Sequence, residues 1–164
     1  VYAYRAEFGA RPSLKKGRLW FESKPCVPIS AVQHASGRME VIDNGSVYLT
    51  IGDLGYPEIG NKSKRGDLGS VFKISASAVE QISQGHRSTQ GIVLIGKDLY
   101  TSEHGPRGGD ELNLIQSGAD YAWPHVSYGQ PYTKGDKIKV TEDQKAWLTK
   151  HGVIGGQQKE QGNG

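Results

Sequence analysis

Three polar, glycine-rich clusters between residues 85 and 129 contain the side chains best suited to chemistry. They read GHRSTQG at residues 85–91, SEHGPRGGDELN at residues 102–113, and YAWP followed by SYG at residues 121–129. The clusters supply histidines that titrate near neutral pH, cationic arginines, and oxygen ligands for a hard metal ion. Strand-like apolar runs separate them, which predicts loops at strand ends, where binding residues usually lie.

The elements that position these clusters are predicted from an internal repeat. Residues 37–50, GRMEVIDNGSVYLT, predict a strand, an Asn-Gly turn and a second strand. Residues 91–102, GIVLIGKDLYTS, have the same layout, and Tyr48 matches Tyr100 at a spacing of 52. A repeat of about 40–50 residues built from short strands is typical of propeller blades. A sandwich of two hairpins is the alternative.

The repeat places a histidine and an arginine in equivalent loops. His34 lies in the loop that enters the first copy, and Arg87 lies in the loop that enters the second. If the copies are successive blades, both loops lie side by side at one end of the propeller. We therefore expect a titratable base beside a fixed cation, both directed toward the central axis.

Composition supports an all-β fold. Glycine accounts for 23 of the 164 residues, about twice the usual ~7%, and is scattered between short apolar runs. Further strands are predicted at Val1–Arg5, Ser70–Ile74 and Leu112–Ile115, and a glycine-rich loop is predicted over Gly52–Gly69. We predict a β-propeller fragment of two to three blades over residues 1–140.

The remaining residues, 141–164, are predicted to be a short helix and a disordered tail. Thr141–Gln144 has a capping-box pattern, and Lys145–Leu148 can continue the helix. The segment from Gly155 onward is polar and rich in glycine and glutamine, a composition that is typical of disorder.

Charge and composition argue against several classes of partner. The net charge is +3 and the isoelectric point is near 8.9, which gives no support for a nucleic-acid partner. No apolar run approaches the ~18 residues that a membrane-spanning helix needs. Cys26 is the only cysteine, so the chain has no intrachain disulfide. The first residues lack the layout of a signal peptide.

Four motifs occur in an order that resembles one known family. They are HASGR at 34–38, TIGD at 50–53, GHRSTQG at 85–91, and EHGPRGGDE at 103–111 followed by YAWP at 121–124. The chain resembles the glucose/sorbosone dehydrogenase family over residues 31–129. Members of this family are six-bladed β-propellers that use pyrroloquinoline quinone (PQQ) and calcium to oxidise aldose sugars.

The resemblance implies roles for the two loop residues and their neighbours. His34 resembles the general base that accepts the proton of the sugar hydroxyl, and Arg87 resembles the cation beside the quinone carbonyls. Ser88 stands where the family usually has an asparagine that contacts the cofactor. Gln33 precedes the base, where some members have Asn or an acidic residue, and is expected to orient His34 by a hydrogen bond.

The resemblance also implies two calcium sites. The main-chain carbonyls of Gly105 and Pro106 resemble ligands of a catalytic calcium that also touches PQQ. The side chain of Glu111 and the carbonyl of Tyr121 resemble ligands of a second, structural calcium. A zinc site is disfavoured because the acidic and histidine residues lack a zinc spacing such as His-Glu-x-x-His.

The implied function is the PQQ- and calcium-dependent oxidation of an aldose to its lactone, with electrons passed to an acceptor. This activity belongs to carbohydrate metabolism and implies a periplasmic or secreted location. A family propeller is much longer than this chain, and the Lys and Arg of later blades that grip the PQQ carboxylates have no counterpart here. Exposed strand edges predict either a homo-oligomer or a fragment of a longer product.

Two other functions remain open at this point. The main alternative is a catalytically silent propeller module that binds calcium and a protein or glycan partner. A hydrolase of the β-propeller type ranks last, because no predicted loop offers a Ser/His/Asp set in a recognisable context.

Overall fold

The computed structural model describes residues 1–6, 17–42, 45–130, 132, 146, 150 and 153–155. Its regular structure consists almost entirely of short strands, with one 3-10 helix at Ile29–Ala31. The strands are β1 Tyr2–Arg5, β2 Arg18–Glu22, β3 Ser36–Val41, β4 Val47–Ile51, β5 Ser70–Ile74, β6 Val79–Gln84, β7 Thr89–Ile95, β8 Asp98–Glu103, β9 Glu111–Ile115, β10 Ala119–Asp120 and β11 Val153–Gly155.

These strands form three sheets. Strands β1 and β2 form a two-stranded sheet, strands β3 to β6 form an antiparallel meander, and β7, β8, β9 and β11 form another. The two-residue β10 adds to the outer edge of the middle sheet, parallel to β6. Four-stranded antiparallel meanders are propeller blades. The predicted all-β propeller class is therefore confirmed, with two four-stranded blades and a two-stranded sheet.

The two central strands of the middle sheet, β4 and β5, are buried on both faces, which explains why they are apolar, whereas β3 and β6 are largely exposed. Val47, Leu49 and Ile51 of β4 point into a core that the first sheet covers, where the rings of Phe21 and Phe72 lie 4.9 Å apart. Alternate side chains point to the opposite face and join a second core, whose buried members are Val71, Leu99, Ile115 and Tyr121. Each fully buried Leu or Ile contributes about 1.5–3 kcal/mol, so this packing fixes the stacking of the sheets.

The predicted repeat is present as two hairpins, β3–β4 and β7–β8. Tyr48 pairs with Glu40 in the first, and Tyr100 pairs with Val93 in the second. The edge strands β3 and β7 of the two sheets lie against each other, and the Leu94 N–H donates to the Glu40 carboxylate over 3.2 Å. The loops that enter β3 and β7 are therefore neighbours.

Several elements differ from the sequence predictions. Strands β2 and β6 were not predicted, because much of their surface faces solvent and their polar residues mask the period of two. Gly155 is not part of a disordered tail, since it pairs with Glu111 in β9. Of the predicted helix over 141–148 only Ala146 is described, and it is helical. The tail beyond Gly155 lies outside the described residues.

Candidate active site

The two repeat loops bring His34 and Arg87 into direct contact. An Nη atom of Arg87 lies 2.9 Å from His34 Nε2. The imidazole is about one-quarter exposed, whereas Arg87 is only 4% exposed. The proximity of His34 and Arg87 that the repeat predicts is therefore observed.

Asp53 determines the tautomer of His34. Its Oδ1 lies 2.8 Å from His34 Nδ1, and it also accepts the Gly55 N–H, while its Oδ2 accepts the indole N–H of Trp123 over 2.8 Å. A guanidinium only donates hydrogen bonds, so Nε2 of His34 must be the acceptor of the Arg87 bond. Nδ1 therefore carries the proton and donates it to Asp53. His34 is a neutral imidazole whose Nε2 lone pair faces the site.

The sequence predicts that Gln33 orients His34, but in the structure the partner of His34 is Asp53. Gln33 is exposed, and its main-chain N–H donates to the Leu54 carbonyl. Asp53 closes the TIGD motif, and its role was missed. The turn alone did not give this contact, because the register shifts between the Met39–Leu49 and Ser36–Ile51 pairs, and only the shifted register places residues 34 and 53 opposite each other.

The backbone around His34 is strained. His34 has a φ angle of +50° and Ser36 of +57°, both in the left-handed region, which costs side-chain-bearing residues about 1–3 kcal/mol each. Gly52 allows this conformation, because a Cβ at Gly52 would lie 1.6 Å from the His34 carbonyl oxygen. Strain of this kind persists where surrounding contacts enforce it, and it is concentrated at functional sites.

Arg87 is a buried cation with carbonyl and aromatic neighbours. Its other Nη donates to the carbonyls of His104 and Gly105 over 2.9 and 2.8 Å, and its Cζ lies 5.4 Å from the Trp123 ring centroid and 6.0 Å from that of Tyr132. No ion pair joins it to a carboxylate among the described residues. A buried charge without a counter-ion is costly, so the site suits an anionic ligand.

Ser88 is buried directly beside Arg87. Its Oγ accepts a hydrogen bond from the Gln90 side chain over 3.1 Å, and its carbonyl accepts the His104 N–H over 2.9 Å. The structure thus brings Ser88 into the loop of the site, with its hydroxyl engaged by Gln90.

The predicted first calcium ligands adjoin the same site. The Gly105 carbonyl faces the Arg87 guanidinium, and the Gly105 N–H donates to the Asp110 carboxylate over 3.0 Å. Pro106 is buried next to it. A main-chain oxygen directed into the site is the donor type that calcium prefers.

At the predicted second calcium site, the partly exposed Glu111 lies near the buried Glu103. The Asn113 amide lies 3.3 Å from a carboxylate oxygen of Glu111 and 3.5 Å from one of Glu103. Burial, with a further contribution from the Glu103 charge, raises the pKa of Glu111 to about 8. Such a carboxyl gains from a bound cation. Tyr121 is buried nearby, with its ring 4.6 Å from that of His86.

One hydrogen-bonded set was not foreseen. Ser83 Oγ lies 2.9 Å from His86 Nε2, and His86 Nδ1 lies 3.0 Å from a Glu103 oxygen, which is a Ser-His-acid order. The prediction that no loop offers a Ser/His/Asp set concerned loops only, and Ser83 lies on β6, so this set fell outside it. The three residues are 2%, 0% and 7% exposed, so a substrate has no access to the serine. The set is structural and supports no hydrolase.

Two general features of the described residues complete the site. No group of three or more His, Cys, Asp or Glu side chains converges there in a way that holds a metal ion. No helix among those residues is both long and apolar enough to cross a membrane.

Comparison with known proteins places this geometry in context. Aldose sugar dehydrogenase YliI of Escherichia coli (strain K12) is 28% identical over 137 residues, which are 70% of this chain and 37% of that protein. Quinoprotein glucose dehydrogenase B of Acinetobacter calcoaceticus is 30% identical over 131 residues, which are 60% of this chain and 27% of that protein. The chain thus spans about a third of the length of these curated relatives.

The fold and the sequence agree on the relationship. A crystal structure of glucose dehydrogenase superposes with a TM-score of 0.69 at 24% identity, over 84% of this chain and 44% of that one. The sequence model described as Glucose / Sorbosone dehydrogenase matches residues 3–151. That match covers most of the 164 residues, and the chain belongs to the glucose/sorbosone dehydrogenase family.

Proposed function

We propose that this chain provides the catalytic base and cofactor-facing cation of a PQQ- and calcium-dependent aldose dehydrogenase that forms a lactone. The observation that carries the proposal is the contact between His34 Nε2 and Arg87, a neutral base and a buried cation without a carboxylate partner. The curated relatives support the reaction class, since their names describe an aldose sugar dehydrogenase and a quinoprotein glucose dehydrogenase.

His34 acts as the proton acceptor. The guanidinium of Arg87 occupies the Nε2 lone pair and has to move aside before a sugar hydroxyl can donate to that nitrogen. Nε2 then takes the proton of the anomeric hydroxyl, and the imidazolium that forms is stabilised by the Asp53 carboxylate at Nδ1. The Trp123 indole N–H keeps Asp53 in place during this charge change.

Arg87 holds and neutralises the anionic group. PQQ, when bound, supplies the electrophilic quinone that takes up the hydride of the sugar. Its three carboxylates and its quinone oxygens suit a buried guanidinium that has no carboxylate partner among the described residues. Ser88 and Gln33 are the further residues that we assign to the cofactor, Ser88 beside Arg87 and Gln33 beside the base.

We assign calcium to the two oxygen-rich positions. The carbonyls of Gly105 and Pro106 would hold the catalytic ion, and the Glu111 carboxylate with the Tyr121 carbonyl would hold the structural ion. The raised pKa of Glu111 supports the second assignment, because a cation relieves the cost of its charge. A periplasmic or secreted location and a separate electron acceptor complete the proposal.

A calorimetric titration of PQQ in the presence of calcium tests the proposal. We expect calcium-dependent binding that weakens in Arg87→Ala, and dye-linked sugar oxidation that is lost in His34→Ala while PQQ binding is kept. Arg107→Ala and His125→Ala are matched controls, because both residues are exposed and neither contacts His34 or Arg87 among the described contacts. Calcium binding without PQQ binding would favour the catalytically silent calcium-binding module instead.

A further inference from the structure

The main chain of Arg87 is fixed on both sides. Its carbonyl accepts the Asp53 N–H over 2.8 Å, and its N–H donates to a carboxylate oxygen of Glu103. The first bond ties Arg87 to the residue that orients the base. The second bond is accepted by Glu103, a residue to which the proposed function assigns no role.

Glu103 is itself held in a buried network. It ends β8 and is 7% exposed, and its second oxygen lies 3.0 Å from His86 Nδ1, while His86 Nε2 lies 2.9 Å from the Ser83 hydroxyl. The His86 ring is fully buried against Tyr121. Each oxygen of the carboxylate therefore has a defined donor, so the side chain has one orientation.

Burying a carboxylate costs desolvation free energy. An apolar residue at the same position would avoid the desolvation cost of a charge. A hydrogen bond that a backbone N–H donates to a carboxylate is, however, about twice as strong as a hydrogen bond between neutral groups, and it fixes the direction of that peptide. The network thus restrains the exact peptide from which the Arg87 side chain extends.

We propose that Glu103 is a positioning residue that sets the starting geometry of the Arg87 guanidinium toward the bound anion. It acts through the main chain of Arg87 and does not touch the ligand. The inference rests on the proposed function, because the anion that Arg87 meets there is PQQ.

The test compares Glu103→Ala and Glu103→Gln with Ser83→Ala as a matched control. Ser83→Ala removes a buried hydroxyl from the same network without touching Arg87. The first readout is the amide signal of Arg87 by NMR in the full chain without cofactor. We expect a downfield, slowly exchanging amide in the parent chain and in Ser83→Ala, an upfield shift in Glu103→Gln, and exchange about tenfold faster in Glu103→Ala.

The second readout is the Kd for PQQ with calcium present. We expect it to rise about tenfold in Glu103→Ala, to rise less in Glu103→Gln, which retains an oxygen acceptor, and to stay within about twofold in Ser83→Ala. If Glu103→Ala does not fold, Glu103→Gln decides the question through the amide shift. An unmoved Arg87 amide in Glu103→Gln, or an equal loss of PQQ affinity in Ser83→Ala, would overturn the inference.

The two readouts separate this inference from the proposed function. A parent chain that does not bind PQQ, together with an Arg87 amide that shifts in Glu103→Gln, means that the proposed function fails and the restraint on Arg87 stands. PQQ binding together with an unmoved amide means the reverse.

Discussion

At the scale of single residues, the site is defined by what each hydrogen-bonding atom is able to donate or accept. The guanidinium of Arg87 has no acceptor, so it forces His34 to present a lone pair at Nε2 and a proton at Nδ1. In the proposed function, Asp53 is then the group that stabilises His34 once it has accepted a proton. One carboxylate therefore decides whether the histidine is suited to accept a proton.

Asp53→Asn should separate catalysis from binding. The amide can still accept the Nδ1 proton but cannot stabilise an imidazolium, so we expect sugar oxidation to fall on the order of 100-fold. The Kd for PQQ should change less than about threefold, since Asp53 does not face Arg87 with its side chain. Dye-linked rates and calorimetry measure both quantities. Asp67→Asn is the control, because Asp67 accepts only the exposed N–H of Lys24. Equal losses in rate and affinity would contradict the prediction.

Glu111 should make stability depend on pH in the absence of calcium. Its pKa rises from 4.5 to about 8 on folding, so the folded chain binds the extra proton between these values. The contribution of Glu111 to stability is then greatest below about pH 4.5, falls as the pH rises toward 8, and is level above it. Glu111→Gln should lack this fall and be more stable than the parent chain at pH 9 in a chelator, by thermal unfolding. A parallel pH profile for the two chains would speak against the raised pKa.

At the scale of secondary-structure elements, the strands bring the loops that hold His34 and Arg87 to the same place. The hairpins β3–β4 and β7–β8 were predictable because their apolar alternation and tight turns are local signals. The contact of Asp53 with His34 was not assigned, since it depends on the register of β3 against β4 and on a left-handed turn at His34. Solvent-facing strands such as β6 carry a weak apolar period, and their polar residues hid them.

Gly52→Ala should displace the loop that carries His34. The new methyl group would overlap the His34 carbonyl, with its Cβ 1.6 Å from that oxygen, and backbone atoms cannot move aside cheaply. We expect a loss of at least about 2 kcal/mol in urea unfolding. Gly37→Ala is the control, because Gly37 has open space around it. Its φ of +78°, which Gly52 does not share, should by itself cost about 1 kcal/mol. Similar losses in both variants would refute the role of the close approach.

An ion pair should anchor the loop of residues 52–69, between β4 and β5, to β10. Arg65 is 3% exposed and donates to Asp120 over 3.1 Å, and Lys62 adds a contact of 2.9 Å. Although burial opposes it, the hydrogen bonds from Lys62, the Ala122 N–H and Arg65 hold the pKa of Asp120 below its usual value. This stabilisation is present above pH 3.8 and is lost as the pH falls through the lowered pKa.

Asp120→Asn therefore tests the anchor. We expect a loss of about 2 kcal/mol or more in urea unfolding at pH 7, because Arg65 keeps its charge in a buried position. The loss should shrink below pH 3.8, where Asp120 becomes neutral in the parent chain as well. Glu58→Gln is the control, since it breaks the exposed pair with Lys64 and should cost less than about 0.5 kcal/mol. A loss that does not vary with pH would rule out an ionic anchor.

At the scale of the whole molecule, the repeat was enough to predict a propeller. It did not predict β11, the strand that completes the second blade. Strand β11 comes from residues 153–155 and pairs with β9 across about forty residues of sequence. Pairing at that distance is set by the sheet that is already formed and leaves no local pattern. The prediction of a disordered tail from Gly155 onward followed from composition alone.

The first sheet should mediate self-association. Tyr2, Tyr4 and Leu19 of strands β1 and β2 are 56%, 51% and 43% exposed, which is unusual for large apolar side chains on a blade. We expect light scattering to give a mass above that of one chain at high concentration, and Tyr4→Ser with Leu19→Ser to reduce it. Ile29→Ser is the control, because Ile29 is 94% exposed but lies outside this sheet. A monodisperse monomer for the parent chain would disprove the prediction.

Arg87 donates a hydrogen bond to the Gly105 carbonyl, the same oxygen that the proposed function assigns to calcium. The guanidinium and a calcium ion cannot both use that oxygen fully, since both are positive. An anion that draws the guanidinium away frees the carbonyl, and an ion on the carbonyl releases the guanidinium. Linkage then requires that each ligand tighten the other by the same factor. We therefore expect the anionic ligand and calcium to bind cooperatively, with the coupling carried by the Arg87 guanidinium.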